Sequence, residues 1–234
     1  PRRLTAEESG KLAFEAEVFE FHQPGGMMDQ YSTAIGGLLH IGFQPDVKIE
    51  RLGAKLNTFV LGDSGESKET KNVLARVKER VLGVTGKITS RKRSFDLHSA
   101  TTESIGEVQG LLDRSELELL GATVSNHAIT KEGKELLAGA VVDDEKLGEL
   151  LSRQQAILRD ALKISTPKID RMLDAAMAAG ATGGKINGAG GGGCMFAYAP
   201  GNAEEVAEAI TRAGGTSYVV MVDDGTRVEE EKGI

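Results

Sequence analysis

The sequence predicts an α+β protein, and three observations lead there. Helical periodicities and short β-branched runs both occur, they alternate along the chain without a fixed repeat, and the apolar content is high enough for a packed interior. With 40% hydrophobic and 27% charged residues over 234 positions, the chain can bury one large core or two small ones and is too apolar for disorder.

The elements follow in order. Thr5 to about Phe19 reads as a helix with Leu4, Leu12, Ala16 and Phe19 on its apolar positions, opened by Thr5 as N-cap and Glu8 in a capping box. A loop at Phe21-His22-Gln23-Pro24-Gly25-Gly26 ends it, and Met27 to Ile35 reads as a second helix broken by Gly36-Gly37. The run Leu38-Leu39-His40-Ile41 is short enough for a strand, with Val47 to Leu52 as its neighbour. Thr58 to Leu61 is β-branched and aromatic, stops at Gly62-Asp63-Ser64-Gly65, and hands over to a charged helix from about Lys68 to Val81. Ser104 to about Ala138 is helical with breaks expected near Gly121 and Gly133, and Glu145 to Leu162 puts Leu147, Leu150, Leu151 and Leu158 on one helical face. Pro167 opens a helix to Ala179, at the position where its missing N–H costs least. A glycine-rich loop follows, expected between a helix and a strand, and then Cys194 to Ala199 as a strand, Ala203 to Ala213 as a helix and Thr216 to Val222 as a closing strand.

Composition removes several function classes. Twenty-eight basic against 35 acidic residues give a net charge of -7, which argues against a nucleic-acid or anionic-membrane surface. The single cysteine, Cys194, has no partner for an internal disulfide, and no long apolar run appears, so a cytoplasmic setting is expected. His22, His40, His98 and His127 lack metal-ligand spacing, Cys194 reads as a small buried residue, and Arg91-Lys92-Arg93 as a solvated loop.

Two segments carry the chemistry. Lys185-Ile186-Asn187-Gly188-Ala189-Gly190-Gly191-Gly192-Gly193-Cys194 is a glycine loop whose permissive backbone lets successive N–H groups converge on an anion or on another loop. A linker or tight turn explains the same composition, and no Gly-Lys-Ser/Thr closes it in the Walker manner. In Gly25-Gly26-Met27-Met28-Asp29-Gln30-Tyr31 a carboxylate and an amide stand just past a glycine turn, where Asp29 can take a proton from a bound hydroxyl. A helix-start carboxylate offsetting the macrodipole is the plainer alternative.

Taken together, these segments resemble the GHMP kinases, a family that includes galactokinase, homoserine kinase, mevalonate kinase and phosphomevalonate kinase. Gly26-Met27-Met28-Asp29-Gln30-Tyr31 is similar to the galactokinase Gly-Ile-Met-Asp-Gln motif, and Lys185 to Cys194 looks like the family's third motif, in a form closer to mevalonate-type kinases. Gly148 to Asp160 and Ser165-Thr166-Pro167-Lys168-Ile169-Asp170 resemble substrate-side helices of galactokinases, and Val60-Leu61-Gly62-Asp63-Ser64 the start of the family's C-terminal domain.

The resemblance implies a fold and a reaction. Residues 1–54 are expected to end a ribosomal protein S5 domain 2-like domain, and 55–234 to form the ferredoxin-like C-terminal domain. The chain reads as the C-terminal portion of an ATP-dependent kinase acting on a sugar hydroxyl, galactose or a relative at the anomeric position, and as inactive alone. Asp29 is the implied catalytic base, with Gly26, Gln30, Tyr31, Asp63 and Ser64 as substrate contacts. Gly188, Ala189, Gly190, Gly191, Gly192 and Gly193 are implied to support the family's ATP phosphate loop and to lie near the transferring phosphate. ATP and Mg²⁺ are the implied cofactors, with the family's phosphate loop, metal ligands and assisting arginine expected in a segment that the chain lacks, so no metal residue is assigned. The alternatives are a mevalonate-type acceptor, a sugar- and nucleotide-binding sensor without turnover, or a stand-alone ligand-binding domain.

Overall fold

The computed structural model describes residues 4–22, 26–43, 46–67 and 70–228, so Pro1, Gly25 of the expected glycine turn and Lys68 lie outside the described residues. The chain divides into two compact units, the first Pro1–Leu56 with Leu137–Val141 and Met221–Ile234, the second Asn57–Leu136 with Val142–Val220. Where a single cut at 54/55 is expected from the sequence, the units interleave.

In the first unit, α1 (Ala6–Phe14) begins with the expected capping box, in which Thr5 and Glu8 each satisfy the other's backbone N–H. The helix does not continue regularly to Phe19. From Glu15 to Glu20 it widens to a π-helical stretch, where the Phe14 and Phe19 rings, five residues apart, meet edge to face with 5.3 Å between centroids.

 

Leu4, Leu12 and Phe19, expected on a buried stripe, are 49%, 56% and 60% exposed, because α1 turns Gly10 rather than these residues onto α2 (Met28–Ile35). The Arg51 guanidinium donates to the Ile35 carbonyl at 3.0 Å and so satisfies an orphan acceptor at the end of α2. β1 (Leu39–Gly42) and β2 (Lys48–Arg51) pair antiparallel, with Leu39 opposite Arg51. Residues 221–228 rejoin this unit, where Gly37 N–H donates to the Asp223 carbonyl and Thr226 N–H to that of Thr33.

The second unit is built on a four-stranded antiparallel sheet of β3 (Phe59–Asp63), β4 (Gly183–Ile186), β5 (Cys194–Tyr198) and β6 (Thr216–Val220), in the order β4-β5-β3-β6. With helices between β3 and β4 and between β5 and β6, this is the split βαβ arrangement of ferredoxin-like domains. Val60, Ile186, Met195 and Ala197 are fully buried in one core with Ile169 and Met172 of α7 (Pro167–Ala178) and Val206 and Ile210 of α8 (Ala203–Arg212). Thr166 caps α7, accepting from Ile169 N–H ahead of Pro167.

The remaining helices are α3 (Thr70–Arg91), α4 (Thr102–Val108), α5 (Arg114–Ala138) and α6 (Asp144–Asp160). α3 runs ten residues past the expected end at Val81, with Val84 and Ile88 buried in the same core. α5 passes unbroken through Gly121 and Gly133. Each glycine costs about 1 kcal/mol against alanine, less than burial of Leu119, Leu120, Val124 and Ile129 returns at about 1.5–3 kcal/mol per side chain.

Candidate functional site

β4 is the strand that the sequence reading missed, so the glycine loop is the connection of a β-hairpin and not of a helix and a strand. Asn187 N–H donates to the Cys194 carbonyl at 2.9 Å and closes the hairpin. Past it, Gly188 and Gly190 to Gly193 all have positive φ, from 71° to 120°. At Gly190 a Cβ would stand 2.6 Å from the Ile164 carbonyl oxygen, so only glycine fits there.

Two connectors hold the loop. Gly191 N–H donates to the Ile164 carbonyl at 2.7 Å, between α6 and α7, and Gly193 N–H to the Glu66 carbonyl at 3.1 Å, after β3. The Gly193 carbonyl in turn accepts from both Ser64 N–H and Ser64 Oγ. Gly190, Gly192 and Gly193 are buried, whereas Asn187 and Gly188 are exposed and Ala189 half-buried. The N–H groups of Asn187, Gly191 and Gly193 serve protein carbonyls, so Gly188 and Ala189 are where an anion can meet the loop backbone.

The surroundings of the loop are cationic on two sides. Lys185 stands opposite Phe196, with Nζ 5.3 Å from the ring centroid and donating to the Ile186 carbonyl at 2.9 Å. Burial pushes its amino group down to about 8, since no solvent shell supports the charged form. The Lys168 ammonium donates to the Ser64 carbonyl, and the Thr166 hydroxyl to the Glu66 carboxylate, tying α7 to the β3 connector. Asp63 Oδ1 accepts from Gly65 N–H at 2.9 Å in a local turn. Ser64, expected as a substrate contact, is 1% exposed, and its hydroxyl is engaged by Gly193 and by Glu66 N–H. Its observed task is to fasten the loop.

In the first unit, Gly26, Asp29, Gln30 and Tyr31 lie at the entry and first turn of α2, where successive side chains are about 100° apart and serve different neighbours. Asp29 is exposed. Gln30 Nε2 donates to Glu17 Oε2 at 2.7 Å, while its buried Oε1 has no hydrogen-bond partner among the described residues. Tyr31 is buried against Gly10 and lines a cleft of about 400 Å³ with Glu7, Glu8, Lys11, Val47 and Ile49. Among the described residues no three His, Cys, Asp or Glu side chains gather at one place.

Fold and loop together define a class: a split βαβ domain whose central hairpin carries a buried, clamped glycine loop. Residues 137–216 match the family model of the GHMP kinases C terminal. The mevalonate kinases of Thermococcus gammatolerans and Pyrococcus abyssi are each 33% identical over 231 residues, 97% of this chain and 58% of theirs. Lactococcus lactis galactokinase, solved with galactose, superposes with a TM-score of 0.78 at 18% identity over 96% of this chain and 61% of its own. L. major mevalonate kinase, solved with R-mevalonate, gives 0.60 at 18% identity over 95% and 60%. These two likenesses are of fold. The chain belongs to the GHMP kinase superfamily and spans somewhat over half the length of the curated relatives it matches.

Proposed function

We propose that the complete protein containing this chain transfers a phosphoryl group from ATP to the hydroxyl of a mevalonate-type acceptor. The observation that carries this reading is the 33% identity to mevalonate kinases across 97% of the chain. The third-motif sequence Lys-Ile-Asn-Gly-Ala-Gly-Gly-Gly-Gly at 185–193 agrees with it. A sugar acceptor, expected from the Gly26 to Tyr31 segment, is set aside: the galactokinase likeness stands at 18% identity and bears on fold alone.

In this reading Asp29 accepts the acceptor's hydroxyl proton as its oxygen bonds to phosphorus, and its exposed place in the first turn of α2 leaves it open to a ligand. Gly188 and Ala189 offer backbone N–H groups to phosphate oxygens, and the buried glycines hold that stretch in place. ATP is the phosphoryl donor, with Mg²⁺ as its usual companion. A reducing cytoplasm suits the single cysteine, which has no partner for an internal disulfide.

The test is ADP release by the complete protein with R-mevalonate, galactose and homoserine in parallel. Turnover with R-mevalonate well above the other two is expected. Preference for galactose, or no turnover of any acceptor, overturns the reading.

A further inference from the structure

Among the described residues two polar side chains are buried, Ser64 and Gln155, and both attach to the glycine loop. Ser64 holds its exit through Gly193, and Gln155 Oε1 accepts the N–H of Ile186, at its entry, at 2.9 Å. Burying an amide is unfavourable unless its groups are bonded, so this side chain requires a full set of partners. It has them: Nε2 donates to Ser165 Oγ at 3.1 Å and to Asp170 Oδ1 at 3.3 Å, and Ser165 Oγ donates to the same Oδ1 at 2.6 Å. An ionised carboxylate only accepts, so Asp170 draws the amide nitrogen to its side and turns the oxygen toward Ile186.

The backbone explains how Gln155 reaches the strand. α6 crosses β4 at a glycine pair, where a Cβ on Gly183 would stand 2.0 Å from the Gly148 carbonyl oxygen. From Gly148 to Gln155 is two helical turns, about 10.5 Å at 1.5 Å per residue, on the same helix face. From Gly183 to Ile186 is about 10 Å along a strand. Helix and strand keep step, and the second contact falls where the loop begins. Ser165 lies beside Ile164, whose carbonyl holds Gly191 N–H, so one connector serves both the network and the body of the loop.

We propose that Gln155, oriented by Ser165 and Asp170, is a positioning residue of the glycine loop, which sets the direction of the Gly188 and Ala189 N–H groups toward the ATP phosphates. The proposal rests on the kinase reading above. Its test uses the complete protein with Gln155→Leu beside Gln154→Leu, a control that removes an amide bonded to Asn126 Oδ1 one position away. Hydrogen exchange at Ile186–Gly193 should quicken by ~10-fold or more in Gln155→Leu only, with β3 and α8 keeping wild-type rates. In steady state, kcat/KM for ATP should fall by ~10-fold or more while acceptor binding stays within about two-fold.

Unchanged exchange at the loop, or faster exchange with unchanged ATP kinetics, overturns the proposal. So does equal loosening of the whole sheet in both variants, which marks a merely structural role. If Gln155→Leu does not fold, Ser165→Ala, which keeps the Gln155 bond to Asp170, carries the same comparison. Should the wild-type protein turn over no acceptor, the kinase reading falls, and the exchange arm alone then decides whether Gln155 positions the loop.

Discussion

Ser64 and Gly193 are joined twice: the Ser64 hydroxyl donates to the Gly193 carbonyl at 2.6 Å, and the Ser64 N–H donates to the same oxygen at 2.9 Å. The end of β3 is thereby fastened to the last residue of the glycine loop. Ser64→Ala keeps the backbone bond but removes the hydroxyl that also accepts from Glu66 N–H. Loss of this buried bond should cost about 1–3 kcal/mol, read as a lower urea midpoint at unchanged m-value. An unchanged midpoint would show that the fastening is redundant.

Gly190→Ala should be worse than its size suggests. Its φ is +81°, and the new methyl would overlap the Ile164 carbonyl oxygen. The left-handed backbone alone costs about 1–2 kcal/mol with a Cβ, before that overlap is relieved. Ala189→Gly, one position away, should change unfolding free energy by under about 1 kcal/mol. Equal melting curves for the two variants would contradict the close approach at Gly190.

Asp29→Asn in the complete protein should lower kcat by ~10²–10⁴-fold with much smaller change in acceptor binding, as loss of a general base does. Because Asp29 is exposed, folding free energy should stay within about 0.5 kcal/mol of wild type. Kinetics, direct binding and a thermal melt together separate the possibilities, and a near-normal kcat would refute the assignment.

Lys185 makes stability depend on pH in a predictable direction. Its folded value is pushed down to about 8 from an ordinary 10.5, so between these limits the unfolded chain binds more protons than the folded one. Charged Lys185 therefore costs stability below pH 8, and the cost fades as pH rises toward 10.5. The stability advantage of Lys185→Met over wild type should shrink by about 1.4 kcal/mol per pH unit through that window. Urea unfolding of both proteins from pH 7 to 10 checks it, and a difference constant with pH would mean that the amine is solvated.

What the sequence by itself determined is mostly local. The Thr5–Glu8 capping box, the Pro167 helix start and the α+β alternation are all present, since each depends on residues within a few positions of one another. The glycine loop was legible as a loop because runs of glycine have few other uses. Tertiary structure decided the rest. Gly183-Gly184-Lys185-Ile186 has little strand propensity of its own and becomes β4 because β5 pairs with it and α6 lies directly on its glycines. α5 survives two glycines because its buried side chains outweigh them, and the end of α1 widens where the Phe14 and Phe19 rings meet. Nothing local sets Gln155 apart from the other polar residues of α6, and it supports the loop through Ile186, 31 positions away, a contact that only the packed chain can create.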